Sequence, residues 1–122
     1  MVTGDIGCYT LGSAEPLNAV DTVICMGASI SMGHGAQKAF EKNGVDKKVV
    51  AVIGDSTFMH TGINSLIDVA YNKGNTVNVI LDNRITAMTG HQENPGTGFT
   101  LQGDPTQQID IENLVKAIGI EH

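Results

Sequence analysis

Two short pieces of this chain bring together residue types that do chemistry jointly: Gly54-Asp55-Ser56-Thr57 and Asp82-Asn83. A carboxylate and an amide oxygen are hard ligands suited to Mg²⁺. A glycine turn followed by hydroxyl residues also leaves backbone N–H groups open to an oxyanion such as a phosphate. The interval between the two pieces, Thr57 through Leu81, is 25 residues, which is room for a helix and a returning strand. On this spacing alone, Asp55 also reads as the cap of a turn and Asn83 as the end of a strand. A strand-end Asp before Ser56-Thr57 also suits a Mg²⁺-dependent phosphotransfer site with Asp55 as nucleophile, although Thr57 stands where the usual second Asp would be.

The elements that must position these residues are legible in the apolar pattern. Val49-Val50-Ala51-Val52-Ile53 and Val77 to Leu81 have the length and β-branched content of strands buried on both faces. Between them Ile63, Leu66, Ile67, Ala70 and Tyr71 recur at helical spacing; Thr61 reads as the N-cap, and Lys73-Gly74-Asn75 as the stop, with glycine supplying positive φ. The result is a βαβ unit. It sets Asp55 and Asn83 at the C-terminal tips of neighbouring parallel strands, where open α/β sheets bind ligands.

Upstream, Met1 to Thr10 contains the glycine-punctuated run Gly4 to Thr10, which suits the end of a strand whose earlier part is missing or very short; Leu11 to Asp21 is loop-like, and Thr22 to Met26 is briefly apolar. A helix begins at Ala28, with Ile30, Met32, Gly33, Ala36, Ala39 and Phe40 inward and Asn43-Gly44 as its stop. Arg84 to Gln108 has no periodicity and is longer than structureless connections usually are, which makes it a candidate lid. A last helix starts with Asp110 as N-cap, turns Ile111, Leu114, Val115 and Ile118 inward and ends at Gly119. The fold expected is α/β: one domain over 1–122, a three-layer sandwich of a mostly parallel sheet with helices on both faces.

Composition narrows the function. Seven basic against thirteen acidic residues give a net charge of −6, and the basic residues form no patch, so nucleic acid is not an expected partner. No apolar run approaches the roughly 20 residues of a membrane span, and there is no basic-then-apolar leader pattern, so the expectation is a cytoplasmic protein. Cys8 and Cys25, the two cysteines of the chain, are too few and too far apart for a zinc or iron–sulfur site made here alone.

Four ordered blocks then carry a resemblance over nearly the whole chain: Gly4-Asp5-Ile6-Gly7-Cys8-Tyr9, Cys25-Met26-Gly27-Ala28-Ser29, Gly54-Asp55-Ser56-Thr57-Phe58, and Thr86-Ala87-Met88-Thr89-Gly90-His91-Gln92. Together with the Asp–Asn spacing, they resemble the thiamine diphosphate-binding domains of 2-oxoacid:ferredoxin oxidoreductases, most narrowly those of the indolepyruvate-type large (alpha) subunits. The resemblance implies the thiamine diphosphate-binding fold, with Mg²⁺ held by Asp55, Asn83 and the Ile85 carbonyl. Gly54, Ser56 and Thr57 would cradle the diphosphate, while Cys8, Cys25, Met26, Gly27, Met88 and Thr89 would lie near the rest of the cofactor. His60 and His91 are candidates for binding the substrate carboxylate or moving protons. Cys8 reads equally as a small buried hydrophobe, and the two histidines equally as ordinary hydrogen-bonded ones; His34 reads as a packing or capping residue. Two positions depart from the general thiamine pattern: Ser56 stands where the turn usually has Gly, and Asp82 where the pair usually has its first Asn.

The activity implied is oxidative decarboxylation of an aryl 2-oxoacid, indolepyruvate-like, to an acyl-CoA, with electrons passing through iron–sulfur clusters to ferredoxin; a non-oxidative thiamine-dependent decarboxylase is the alternative within the class. Neither the activating Glu nor the cluster cysteines have a counterpart in these residues. A pyrimidine-binding domain or subunit must supply the Glu, and the clusters belong to other domains. The chain is therefore expected to be a fragment of a longer polypeptide, inactive by itself.

Overall fold

The computed structural model describes residues 1–120. Strands β1 (Val2–Gly4), β2 (Thr22–Val23), β3 (Val50–Gly54) and β4 (Val77–Leu81) form one sheet in the order β2-β1-β3-β4. All three pairings are parallel, and the expected α/β architecture stands. The register of β3 with β4 runs from Val50↔Val77 to Gly54↔Leu81. Asp55 and Asp82-Asn83 therefore leave adjacent strands at the same end of the sheet.

Helix α1 (Ala28–Lys42) forms as its pattern predicts and stops at Asn43, with Gly44 at φ 68. Its inward face differs in part: Ser29, Ile30, Gly33 and Gln37 are buried, whereas Ala39 is exposed and Phe40 half-buried. Gly33 permits the helix to sit on the sheet, because a Cβ there would lie 3.0 Å from Thr3 Oγ1 and 3.3 Å from Ala51 Cβ. The core joins Ile30 of α1, Ala51 and Ile53 of β3, and Phe58, Leu66 and Val69 of the helix that follows β3.

That helix departs from expectation at both ends. It starts at Asp55, six residues before the expected cap: α2 (Asp55–Thr57) runs through a π-helical segment, Phe58–Gly62, into α3 (Ile63–Tyr71). Thr61 is not an N-cap; it lies inside the π segment and donates its hydroxyl to the Thr57 carbonyl at 3.2 Å. At the other end Lys73, not Gly74, takes positive φ, at 50°. Gly74 serves packing instead, since a Cβ there would meet His34 Nδ1 at 2.5 Å and Val69 Cγ1 at 2.8 Å.

The two long strands are not buried on both faces. Along β3, Ala51 and Ile53 are buried but Val50 and Val52 only half so, and β4 is an edge strand with Val77 exposed. Side chains alternate along a strand, so Val52 points away from the Ala51–Ile53 core, into the cavity described below.

The last helix, α4 (Ile111–Ala117), begins as expected: Asp110 accepts from the Asn113 N–H at 3.0 Å, and Gly119 has φ 91. Ile111, Leu114, Val115 and Ile118 are half-buried against the core. Asp110→Ala is expected to lower stability by about 1 kcal/mol, the usual cost of losing such a cap, measurable by denaturant titration. Among the described residues no helix is long and apolar enough to cross a membrane.

Candidate functional site

One cavity lies at the C-terminal end of the sheet, with a volume of about 110 Å³. All four blocks singled out in the sequence contribute to its walls, through Cys8 and Tyr9, Met26, Gly54 through Thr57 and Thr86 through Thr89, joined by Asn83 and Ile85 from the segment after β4. Cys8, Met26, Gly54, Asp55, Ser56, Thr57, Asn83, Ile85, Met88 and Thr89 are thus brought together. Gly27, Cys25, His60 and His91 are not on the wall. Gly27 is buried just behind it, while Cys25, His60 and His91 are exposed.

The turn after β3 explains how Asp55 is presented. Gly54 is still extended, at φ −78 and ψ 157, and Asp55 opens the helix. The first turn of a helix has no internal partners for its N–H groups. The Phe58 N–H is the one that bonds back to the Asp55 carbonyl, so the N–H groups of Asp55, Ser56 and Thr57 have no intrahelical partner among the described residues. Ser56 is not among the residues at positive φ, which removes the steric reason for a glycine there. Its hydroxyl accepts from Thr86 Oγ1 at 2.7 Å, tying the turn to the segment after β4.

Two buried carboxylates face this region, and their surroundings differ. Asp5, 5 % exposed, is fully engaged: Oδ1 accepts from the Gly27 N–H at 2.8 Å and Oδ2 from the Ser29 N–H at 3.0 Å. It is a structural anchor for the start of α1. Asp55, 2 % exposed, accepts among the described residues only from the neutral Asn94 amide, Nδ2 to Oδ2 at 3.2 Å. The ion pairs among the described residues, Lys38–Glu41, Arg84–Asp82 and Lys116–Glu112, do not reach it. A buried charge without a counter-charge is costly. This arrangement suits a bound cation.

Asn83 completes the crevice from β4. Its Oδ1 accepts from the Ile85 N–H at 3.2 Å, and Arg84 between them takes φ 55, so the turn aims Asn83 and Ile85 at the cavity. Asp82, the departure from the usual pair, is turned aside: its carboxylate accepts from the Arg84 N–H at 3.0 Å and lies 3.8 Å from Arg84 Nε. Among the described residues no three His, Cys, Asp or Glu side chains converge on one metal position. A cation at Asp55 would therefore take its other ligands from outside that set, such as amide or backbone carbonyl oxygens or a bound oxyanion.

Sequence reasoning missed two residues here, Asp5 as the anchor of Gly27 and Asn94 as the partner of Asp55. Asp5 stood inside a quoted block, so its place in the motif was a usable signal. Asn94 had none, being 39 positions from Asp55 in a stretch without periodicity.

The model of the family "Thiamine pyrophosphate enzyme, C-terminal TPP binding domain" matches residues 5–122. Indolepyruvate oxidoreductase subunit IorA of Archaeoglobus fulgidus is 49% identical over 117 residues, covering 96% of this chain and 18% of that protein. The subunit IorA of Thermococcus kodakarensis is 50% identical over 126 residues, covering 96% and 19%. The chain thus spans about a fifth of the length of these curated relatives. Among solved structures, an enzyme of Mycobacterium smegmatis described as thiamin diphosphate-dependent superposes with a TM-score of 0.64 at 22% identity, over 97% of this chain and 22% of that one, a likeness of fold. The chain belongs to the family of C-terminal thiamine pyrophosphate-binding domains of thiamine pyrophosphate enzymes.

Proposed function

We propose that this domain binds Mg²⁺ and thiamine diphosphate as part of an enzyme that oxidatively decarboxylates an aryl 2-oxoacid, indolepyruvate-like, to an acyl-CoA with reduction of ferredoxin. The observation that carries the metal and cofactor reading is the Asp55 carboxylate, buried at the cavity wall with one neutral partner and no cation beside it among the described residues. The names of the IorA relatives support the indolepyruvate-type substrate and favour oxidative over non-oxidative chemistry. No observation favours phosphotransfer at Asp55.

In this reading Asp55, the Asn83 amide oxygen and the Ile85 carbonyl hold Mg²⁺, and the unpaired N–H groups of Ser56 and Thr57 receive the diphosphate. Met26 and Met88 supply apolar walls, with Cys8 and Thr89 beside them. Gly27 acts from behind the wall by keeping the start of α1 close, and Cys25, exposed next to Met26, is proposed to lie near the cofactor from the outer side. Bound there, thiamine diphosphate supplies the electron sink for decarboxylation. The cavity is smaller than the roughly 300–1,000 Å³ of complete ligand sites, which suits a site finished by a second domain or subunit carrying the activating Glu. His60 and His91, both exposed, are proposed to meet the substrate carboxylate or move protons on that outer side. Iron–sulfur clusters, coenzyme A and ferredoxin would engage other parts of a longer, cytoplasmic protein, of which this chain is one domain.

Calorimetric titration of the complete protein with thiamine diphosphate tests the reading. Saturable binding with Mg²⁺ and its loss on chelation are expected. Absence of metal-dependent binding when the partner domain is present contradicts it.

A further inference from the structure

Asn94 sits in the middle of the long Arg84 to Gln108 connection, yet it is only 7 % exposed. Both ends of its amide are used: Nδ2 donates to Asp55 Oδ2 at 3.2 Å, and Oδ1 accepts from the Gly96 N–H at 2.8 Å. The turn around it is braced from outside. Thr97 Oγ1 donates to the Asn94 carbonyl at 2.9 Å, Gln108 Nε2 to the Gly96 carbonyl at 2.6 Å, and the Ile109 N–H to the Pro95 carbonyl at 2.8 Å. At Gly96 a Cβ would come within 3.1 Å of both Asn94 Oδ1 and Met59 Cε. The amide is therefore held from several sides against one oxygen of the buried carboxylate.

We propose that Asn94 is a positioning residue for Asp55 and decides which cation the site accepts. The inference rests on the Mg²⁺ and thiamine diphosphate reading of the cavity. With Oδ2 already accepting from Asn94, Oδ1 is the Asp55 oxygen without a hydrogen-bond partner among the described residues and the one left for a cation. A ligand restricted to one oxygen suits the tight octahedron of Mg²⁺, whereas Ca²⁺ readily takes both oxygens of a carboxylate at longer distance. The choice of a neutral amide matters as well. A lysine or arginine in the same place would neutralise the carboxylate and compete with the cation, while an amide orients it and leaves its charge intact. Without the donor, the carboxylate is free to rotate and present both oxygens.

The test measures the Mg²⁺ and Ca²⁺ concentrations that half-saturate thiamine diphosphate binding in the complete protein with its partner subunit. In Asn94→Ser the hydroxyl can still accept from the Gly96 N–H, as serine does in such turns, but it is too short to reach Asp55. Mg²⁺ half-saturation is expected to rise about tenfold, in line with loss of a hydrogen bond to a charged group, with Ca²⁺ unchanged or improved. Gln108→Ala loosens the same turn without touching Asp55 and is expected to keep the Mg²⁺ preference. Should Asn94→Ser fail to fold, Asn94→Asp retains the acceptor for Gly96, removes the donor and adds a second carboxylate; it is expected to shift the preference toward Ca²⁺. An unchanged Mg²⁺ to Ca²⁺ preference in the folded Asn94 variant, or an equal change in Gln108→Ala, overturns the positioning role. Wild-type protein without metal-dependent cofactor binding overturns the cavity reading itself, and the inference with it.

Discussion

Asp55→Ala is expected to weaken Mg²⁺-dependent thiamine diphosphate binding by about 100-fold or more, since loss of a direct ligand should exceed the roughly 10–100-fold seen when only a supporting partner is removed. The same site predicts an effect of opposite sign on the metal-free fold. Asp55 is buried, its described partner is the neutral Asn94, and no cation among the described residues pairs with it. Asp55→Asn keeps the shape and removes the uncompensated charge, so it is expected to stabilise the metal-free protein by about 1 kcal/mol while binding is lost. Thermal unfolding with a chelator, set beside calorimetry with Mg²⁺, reads both effects. A variant less stable without metal and unchanged in cofactor binding would make Asp55 an ordinary structural carboxylate, as Asp5 is.

The second large effect is structural. Gly27 has φ 86 and its N–H is bound by Asp5 Oδ1, so neither its conformation nor its place can shift freely. A Cβ there would run into the Thr61 side chain, with Thr61 Cβ only 2.8 Å away. Positive φ and overpacking add, and Gly27→Ala is expected to cost about 2–4 kcal/mol. Denaturant titration measures it. Combining the change with Thr61→Gly should recover the steric part and leave the conformational part, apart from the cost of a helical glycine. A Gly27→Ala protein of wild-type stability would show that α1 and the π segment are not pressed together as described. Because Gly27 joins Asp5 to the start of α1, the substitution should also disturb the Met26 side of the cavity.

The parts of the fold governed by local rules were legible in the chain. Asp110 caps α4 because a short acceptor before an apolar helix satisfies an orphan N–H, a relation that spans three residues. The stop of α1 at Asn43-Gly44 and the β3–helix–β4 order follow from similarly short-range patterns. The four blocks did converge on one cavity, apart from residues that stand behind it or outside it. The helix starts before Thr61 for a physical reason. The π segment adds residues to the turn and breaks the 3.6-residue period between Phe58 and Gly62, and Gly62 resembles a breaker. In the fold Gly62 is a packing residue, since a Cβ there would lie 2.6 Å from Ile53 Cδ1. Thr61 consequently looked like a cap when the helix was already under way.

Long-range polar contacts were not legible. Asp5 reaches Gly27 and Ser29 across 22 and 24 positions, and Asn94 reaches Asp55 across 39. No periodicity encodes such distances. The burial of β3 and β4 was overstated for a related reason: a β-branched run specifies a strand, but not that one face opens on a cavity or that the strand lies at a sheet edge.

The most direct measurement is a crystal structure of the complete protein grown with Mg²⁺ and thiamine diphosphate. A six-coordinate ion is expected at about 2.1 Å from its ligands, with Asp55 Oδ1, Asn83 Oδ1 and the Ile85 carbonyl among them, and diphosphate oxygens facing the N–H groups of Ser56 and Thr57. A diphosphate bound elsewhere, or an ion that does not touch Asp55, would contradict this expectation.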